Sequence, residues 1–217
     1  KEVVHYQIQE KLGSGAFGAV YKVHCIEDDK TMAMKCEPVD IKRRSLNMEF
    51  RAMKTARNSG SPYFTQYCDR GVDKDRFSFI TMELVGENLF SIVHKQPNHC
   101  FTISTACRVA EQTLAAIRDL HEVNFLHRDI KPPNFATGRK EDGKDNIIYL
   151  LDFGMCRTIR TKEGKLKHYR TKAQFRGTVR YASVGALLGD EQSRKDDIEG
   201  WLYMIVEFTM GYVPWSS

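Results

Sequence analysis

Nothing in this 217-residue chain is apolar for long enough to cross a bilayer as a helix, which takes about 20 consecutive apolar residues. The first residues, Lys1-Glu2-Val3-Val4-His5, lack the apolar stretch of a secretory leader, so no membrane partner is expected. Cysteines are few and scattered. The six stand at 25, 36, 68, 100, 107 and 156, with no CxxC pair, which excludes a zinc ribbon and argues against a disulfide framework. They predict free, buried thiols in a reducing compartment, hence a cytoplasmic location. Internal repeats and low-complexity tracts are missing as well. Acid is nearly missing from one region: residues 155–181 hold nine bases (Arg157, Arg160, Lys162, Lys165, Lys167, Arg170, Lys172, Arg176, Arg180) against the single acid Glu163. That stretch carries +8 of a net +5, leaving −3 for the rest. A solvated loop or a nucleic-acid patch would also be basic. The few aromatics there, and the lack of a helix-turn-helix or zinc pattern, argue against nucleic acid.

What is present is the composition of an ordinary globular domain, 41% hydrophobic and 28% charged, enough for one domain or one domain in two lobes. Strand-like alternation fills the first third: residues 6–12, 19–23 and 32–36, then 64–68 and 77–82. Between them Leu46, Phe50 and Met53 recur at helical spacing, predicting a helix from near Ser45 to near Asn58. Beyond Leu84 helices dominate. Ala106, Val109, Ala110, Leu114, Ile117 and His121 predict one long helix, and residues 147–151 a short buried strand. Strands followed by helices predict an α+β fold in two differently built lobes, joined near residues 83–86.

Four groups of residues suggest chemistry. Gly13-Ser14-Gly15-Ala16-Phe17-Gly18-Ala19-Val20 is a GxGxxG run between two strands. A dinucleotide fingerprint would need a helix after the last glycine. A strand follows instead, and a glycine turn between strands lets backbone lie close over phosphates. Lys35, inside the apolar run 32–36, is costly to point inward without a partner, and Glu49, beside the apolar face of the next helix, offers one. In His127-Arg128-Asp129-Ile130-Lys131-Pro132-Pro133-Asn134, Asp129 can accept a hydroxyl proton. Lys131 can neutralise a transferring phosphoryl group, and Asn134 can ligate a metal through its carbonyl oxygen. Asp152-Phe153-Gly154 follows a buried strand, where a carboxylate suits Mg²⁺. Each group alone is weak; all four in this order are not.

Together these motifs resemble the protein kinase family over the whole chain. Arg176-Gly177-Thr178-Val179-Arg180-Tyr181-Ala182-Ser183, without the usual Ala-Pro-Glu, is similar to the casein kinase I superfamily. The runs 125–132, 175–183 and 203–208 are most similar to its tau-tubulin kinase branch. The resemblance implies an antiparallel β-sheet N-lobe with one helix over residues 1–83, then the hinge and a mostly helical C-lobe over 84–217. It also implies serine/threonine transfer, with ATP and Mg²⁺ (or Mn²⁺) as cofactors. Leu12, Gly13, Ser14, Gly15, Ala16, Phe17, Gly18, Val20, Ala33 and Lys35 would line the nucleotide site. Met82 would guard its back, with Glu83 and Leu84 as hinge. Lys35, Glu49, Asp129, Lys131 and Thr178 would be catalytic, Asn134 and Asp152 would hold metal, and Asp197 would support the catalytic loop from below. Arg180 is expected to face a bound anion, favouring acidic or primed peptides, the alternative being that it braces the loop or is solvated. The buried ion pair that usually anchors this segment through Ala-Pro-Glu is expected to be absent.

The resemblance further implies a monomer acting on protein substrates, cytoskeletal ones among them, in the cytoplasm or at the cytoskeleton or cilium. It implies a loop ordered without obligatory phosphorylation, although Thr158, Thr161 and Thr171 stand among the bases. The last helix is apolar nearly all round, which predicts complete burial, further covering helices and a longer chain. The alternatives are a pseudokinase-type binding scaffold and a small-molecule phosphotransferase; the latter gives no reason for Thr178 or the basic stretch.

Overall fold

The computed structural model describes residues 4–15, 18–40, 45–73, 76–161, 163–168, 170 and 172–215. Ala16 and Phe17 of the glycine run, and Lys162 and Thr171 of the basic stretch, lie outside the described residues.

The alternating runs of the first third form a five-stranded sheet. Strands β1 (Tyr6–Gly15), β2 (Gly18–Cys25) and β3 (Lys30–Pro38) precede helix α1 (Leu46–Asn58), and β4 (Tyr67–Asp73) and β5 (Phe77–Glu83) follow it. All neighbours are antiparallel, in the order β1-β2-β3-β5-β4. β4 begins later than the sequence suggests. Phe64 is fully buried in the main core instead of sitting in a strand, because the chain from α1 must first cross the core before it can pair with β5.

Helix α1 is set against the sheet by an unusual cap. Its N-cap Ser45 makes no side-chain cap bond of its own. Buried Glu37 of β3 takes that role, accepting from Ser45 N (2.7 Å), Ser45 Oγ (2.9 Å) and Leu46 N (3.4 Å). A carboxylate at a helix N-terminus satisfies orphan N–H groups and complements the helix dipole. The helix then buries Leu46, Glu49, Ala52, Met53 and Ala56 on one face, so Glu49 is carried inward with the core residues.

The second half supplies α2 (Leu89–His94), α3 (Ile103–Glu122), the short strands β6 (Phe125–Leu126), β7 (Phe135–Thr137), β8 (Ile148–Leu150) and β9 (Arg157–Thr158), then α4 (Val184–Leu187) and α5 (Arg194–Met210). β6 pairs with β9 and β7 with β8. In α3 the buried face runs through Ala106, Val109, Thr113, Ala116, Ile117 and Leu120, and Leu114 lies off it, 37% exposed. Thr113 is tolerated inside because it donates to Val109 O (2.7 Å) and accepts from Trp201 Nε1 (2.9 Å). A continuous core runs from Met53, Phe64 and Ile80 through Leu120, Leu150 and Phe153 to Met204 and Phe208.

One expectation is corrected. The thiols are free, but Cys68 and Cys107 are exposed, since each sits on the outward side of its element. Helix α5 buries Met204 and Phe208, while Leu202 (51%) and Met210 (58%) stay open among the described residues.

Candidate active site

The sheet positions the first half of the site. In the turn between β1 and β2, Gly15 pairs with Gly18. Gly18 has φ +145°, and a Cβ there would lie 1.9 Å from Cys36 O, so no other residue fits. Val20 faces Lys35 across β2–β3, and Ala33 pairs with Met82 across β3–β5. Gly13, Ser14 and Leu12 lie on β1 with their side exposed, while Met82 and Glu83 end β5 and Leu84 follows. Glu83 is held from the other lobe by an ion pair to Lys144.

Lys35 Nζ lies 2.9 Å and 2.7 Å from the two oxygens of Glu49, and 2.8 Å from Asp152 Oδ1. Burial opposes the charge on Lys35, but the two carboxylates outweigh it and hold its pKa above the ordinary lysine value. Asp152 shows the complementary shift. Burial would raise its pKa, yet Lys35 beside it brings the carboxyl below the ordinary 3.8. The spacing-based pairing of Lys35 with Glu49 therefore closes in space, and Asp152 joins it.

The second half hangs from the turn after β6. His127, wholly buried, donates from Nε2 to Leu151 O (3.0 Å), which leaves Nδ1 to accept from Asp129 N (3.3 Å). Arg128 adopts φ +67°, a left-handed conformation costly for a side-chain-bearing residue. Asp197 of α5 holds it there, accepting from His127 N (2.9 Å), Arg128 N (2.8 Å) and His121 Nε2 (2.8 Å). The Arg128 guanidinium donates to Met155 O (2.8 Å). Burial first, and then the nearby Arg176 charge, push its pKa down to about 10.

This scaffold fixes Asp129. Its Oδ1 accepts from Thr178 Oγ1 (2.7 Å), its Oδ2 lies 2.7 Å from Lys131 Nζ, and Lys131 Nζ also donates to Thr178 Oγ1 (2.9 Å). Asn134 Nδ2 donates to Asp129 O (2.8 Å). Gly177 lets the Thr178 segment approach, since a Cβ on it would lie 2.7 Å from Arg128 O. Asp129, Lys131, Asn134 and Thr178 thus form one cluster, and Lys35, Glu49 and Asp152 another.

The donor set suits a hard cation. Asn134 uses its amide nitrogen on Asp129, leaving Oδ1 as a ligand oxygen, and Lys35 engages Asp152 through Oδ1, leaving Oδ2. Oxygen donors of this kind fit Mg²⁺ or Mn²⁺, with phosphate oxygens completing the shell. Among the described residues no group of three or more His, Cys, Asp or Glu could hold a metal without such help.

Arg180 meets an acid of α5. Its Nη1 donates to Glu207 Oε1 (3.1 Å), and Tyr181 Oη donates to the other oxygen of the same buried carboxylate (2.5 Å). Burial and Glu207 both raise the Tyr181 pKa. The usual acid of Ala-Pro-Glu is missing, but α5 provides Glu207 from 27 residues away, so the segment is anchored by a partly buried ion pair. Arg180 thus has a bracing contact within the segment, while its side chain remains 38% exposed. Sequence reasoning also missed Glu37, Glu191 and Asp196. Asp196 accepts from Ser183 Oγ (2.6 Å) and Ser193 N (2.7 Å), tying α4 to the start of α5. Their one signal was acid placed in an apolar or basic setting, which names no partner.

Comparison with known proteins gives two findings. A family model described as "Protein kinase domain" matches residues 6–217. A probable serine/threonine-protein kinase of Dictyostelium discoideum is 34% identical over 212 residues, 98% of this chain. The chain spans 42% of that relative's length.

Proposed function

The chain belongs to the protein kinase family, and on that premise we propose that it moves the γ-phosphoryl group of ATP to serine or threonine hydroxyls of proteins. One observation carries the reading: Asp129 is held in a triangle with Lys131 and Thr178, all within 2.9 Å. Phosphoryl transfer asks mainly for positioning and electrostatics. Asp129 Oδ2 takes the proton of the attacking hydroxyl, and Lys131 neutralises charge on the group in flight. Lys35, kept charged by Glu49 and Asp152, orients the α- and β-phosphates. Leu12, the glycine turn, Val20 and Ala33 enclose the nucleotide between the β1–β2 turn and the hinge at Glu83 and Leu84, with Met82 behind. Asn134 and Asp152 would hold Mg²⁺ or Mn²⁺, which when bound neutralises charge on the β- and γ-phosphates.

The finer reading places the chain in the casein kinase I superfamily, near its tau-tubulin branch. Ser183 supports this: where Ala-Pro-Glu would begin, it caps α4 by accepting from Ala186 N (3.1 Å) and binds Asp196. We also propose a cytoplasmic or cytoskeleton-associated monomer that acts on protein substrates and prefers acidic or phosphorylated peptides. The basic stretch supports the preference: residues 155–181 hold nine bases against the single acid Glu163, and arginines pair well with phosphate oxygens.

Transfer of labelled phosphate from ATP to an array of serine, threonine and tyrosine peptides, with acidic and phosphorylated variants, tests this. Serine and threonine peptides should label and tyrosine should not. The acidic preference should fade with salt, because exposed charges are screened over about 8–10 Å. Nucleotide binding without transfer to any peptide would favour a binding scaffold instead.

A further inference from the structure

The loop between α4 and α5 makes contacts that the proposed chemistry does not use. Glu191 is 8% exposed, and two arginines of the basic stretch converge on its carboxylate. Arg170 forms a two-point ion pair with it, Nη2 to Oε1 at 2.9 Å and Nε to Oε2, and Arg157 joins on Oε1. The neighbours of Glu191 hold the same stretch. Ala173 N donates to Gly189 O (2.8 Å), and Gln192 Nε2 donates to Arg176 O (2.7 Å).

These contacts fall at both ends of one segment. Arg157 pairs with Leu126 in the β6–β9 ladder, directly before His127, and lies five positions beyond Asp152. Arg170, Ala173 and Arg176 lead into Gly177 and Thr178, whose hydroxyl reaches Asp129. A chain so rich in bases repels itself, and protein kinases commonly order such a segment by adding a phosphate that arginines can grip. A buried carboxylate gripped by two arginines supplies the same kind of contact permanently.

We propose that Glu191 is a positioning residue: its carboxylate clamps Arg157 and Arg170, and so holds the segment that delivers Thr178 to Asp129, with no phosphate needed there. The inference deepens the kinase reading and rests on it for its activity readout; a second readout is independent of transfer.

The test uses full-length protein carrying Glu191→Ala. Removing the shared carboxylate leaves Arg157 and Arg170 side by side without their counter-charge, so kcat should fall at least about tenfold while KM for ATP stays within about twofold. Sulfate or inorganic phosphate, filling the vacated place between the arginines, should restore much of the loss, and chloride at equal ionic strength should not. Limited proteolysis, followed by mass spectrometry, should cut the variant faster between 157 and 176, with sulfate protecting it. That arm reads the clamp even in a protein that transfers no phosphate, so the two readings fail separately. Unchanged kcat in the folded variant overturns the proposal. So does a loss that sulfate leaves unchanged, with no faster cleavage of the segment. Should Glu191→Ala not fold, Arg170→Gln removes the same grip from a side chain 55% exposed. It should show the same fall in kcat and the same cleavage, and wild-type values for both would overturn the clamp.

Discussion

Replacing Asp197 with asparagine tests whether the catalytic turn is held from below. Asp197 is 3% exposed and accepts three hydrogen bonds, from His121, His127 N and Arg128 N. Asparagine keeps the shape but offers one oxygen, so its amide hydrogens must face at least one of the two backbone N–H groups. Losing a charge-assisted bond costs about 1.5–3 kcal/mol, and stranding a buried N–H about 1–3 kcal/mol more. The φ of +67° at Arg128 is maintained by these same bonds, and relaxing it returns some of that cost. A net loss of about 3 kcal/mol is expected, which for a domain of this size lowers Tm by roughly 6–12 °C. Turnover should fall as well, because Asp129 follows Arg128 directly and moves with it. Thermal and urea unfolding, run beside a peptide kinase assay, measure both effects. Glu122→Gln on the same lobe, 69% exposed, is the control and should change neither. A Tm within about 2 °C of wild type, with turnover intact, would refute the reasoning.

Asp129→Asn should reduce kcat by about 10²-fold or more while nucleotide affinity is retained, measured by steady-state kinetics and calorimetry. Asp152→Asn should abolish the Mg²⁺ dependence of nucleotide affinity; an unchanged ratio with and without Mg²⁺ would remove Asp152 from the metal site. Because the folded pKa of Asp152 is depressed below 3.8 by Lys35 against the pull of burial, its stabilisation is complete above that pH and is lost as pH falls through the lower folded value. The stability gap between wild type and Asp152→Asn should therefore be flat from about pH 7 to 5 and close only below about pH 4, read by urea unfolding. Gly177→Ala puts a Cβ 2.7 Å from Arg128 O at φ +122°, so it should cost about 1–3 kcal/mol and slow turnover, with normal kcat counting against the observed approach of the segment to Asp129.

The elements were legible where period and punctuation agree, as in α1 and in the strands flanking the glycine turn. They were misread where apolar character stood in for burial. Leu114 sits off the buried face of α3, whereas Phe64 is buried as its apolar character suggests but lies outside any strand. The residues of the candidate site were legible because local spacing and chain order bring them close: Lys35 to Glu49 over one strand and one helix, Asp129 to Asn134 within one turn. Apart from Asp197, which the family resemblance supplied, the acids that hold the site in place were not. Glu37, Glu191 and Glu207 each act on a partner set by tertiary packing, and a lone glutamate carries no mark of which base it will meet. Arg180 shows the same thing: the sequence displays its charge but not the carboxylate of Glu207 folded against it.

The cap that Glu37 places on α1 bears on which conformations the molecule can populate. For α1 to swing away from the sheet and separate Glu49 from Lys35, Glu37 must release Ser45 N, Ser45 Oγ and Leu46 N together. At a net worth of about 1.5 kcal/mol or more for each bond to a charged group, two such bonds alone make the swung-out state rarer than about one molecule in a hundred. A nucleotide-site inhibitor that binds solely to that state would see its affinity reduced by the same factor, whereas one that accepts α1 where it lies would not. Glu37→Gln, which weakens the cap without touching the nucleotide site, should narrow the gap between two such inhibitors and leave the second one's Kd in place.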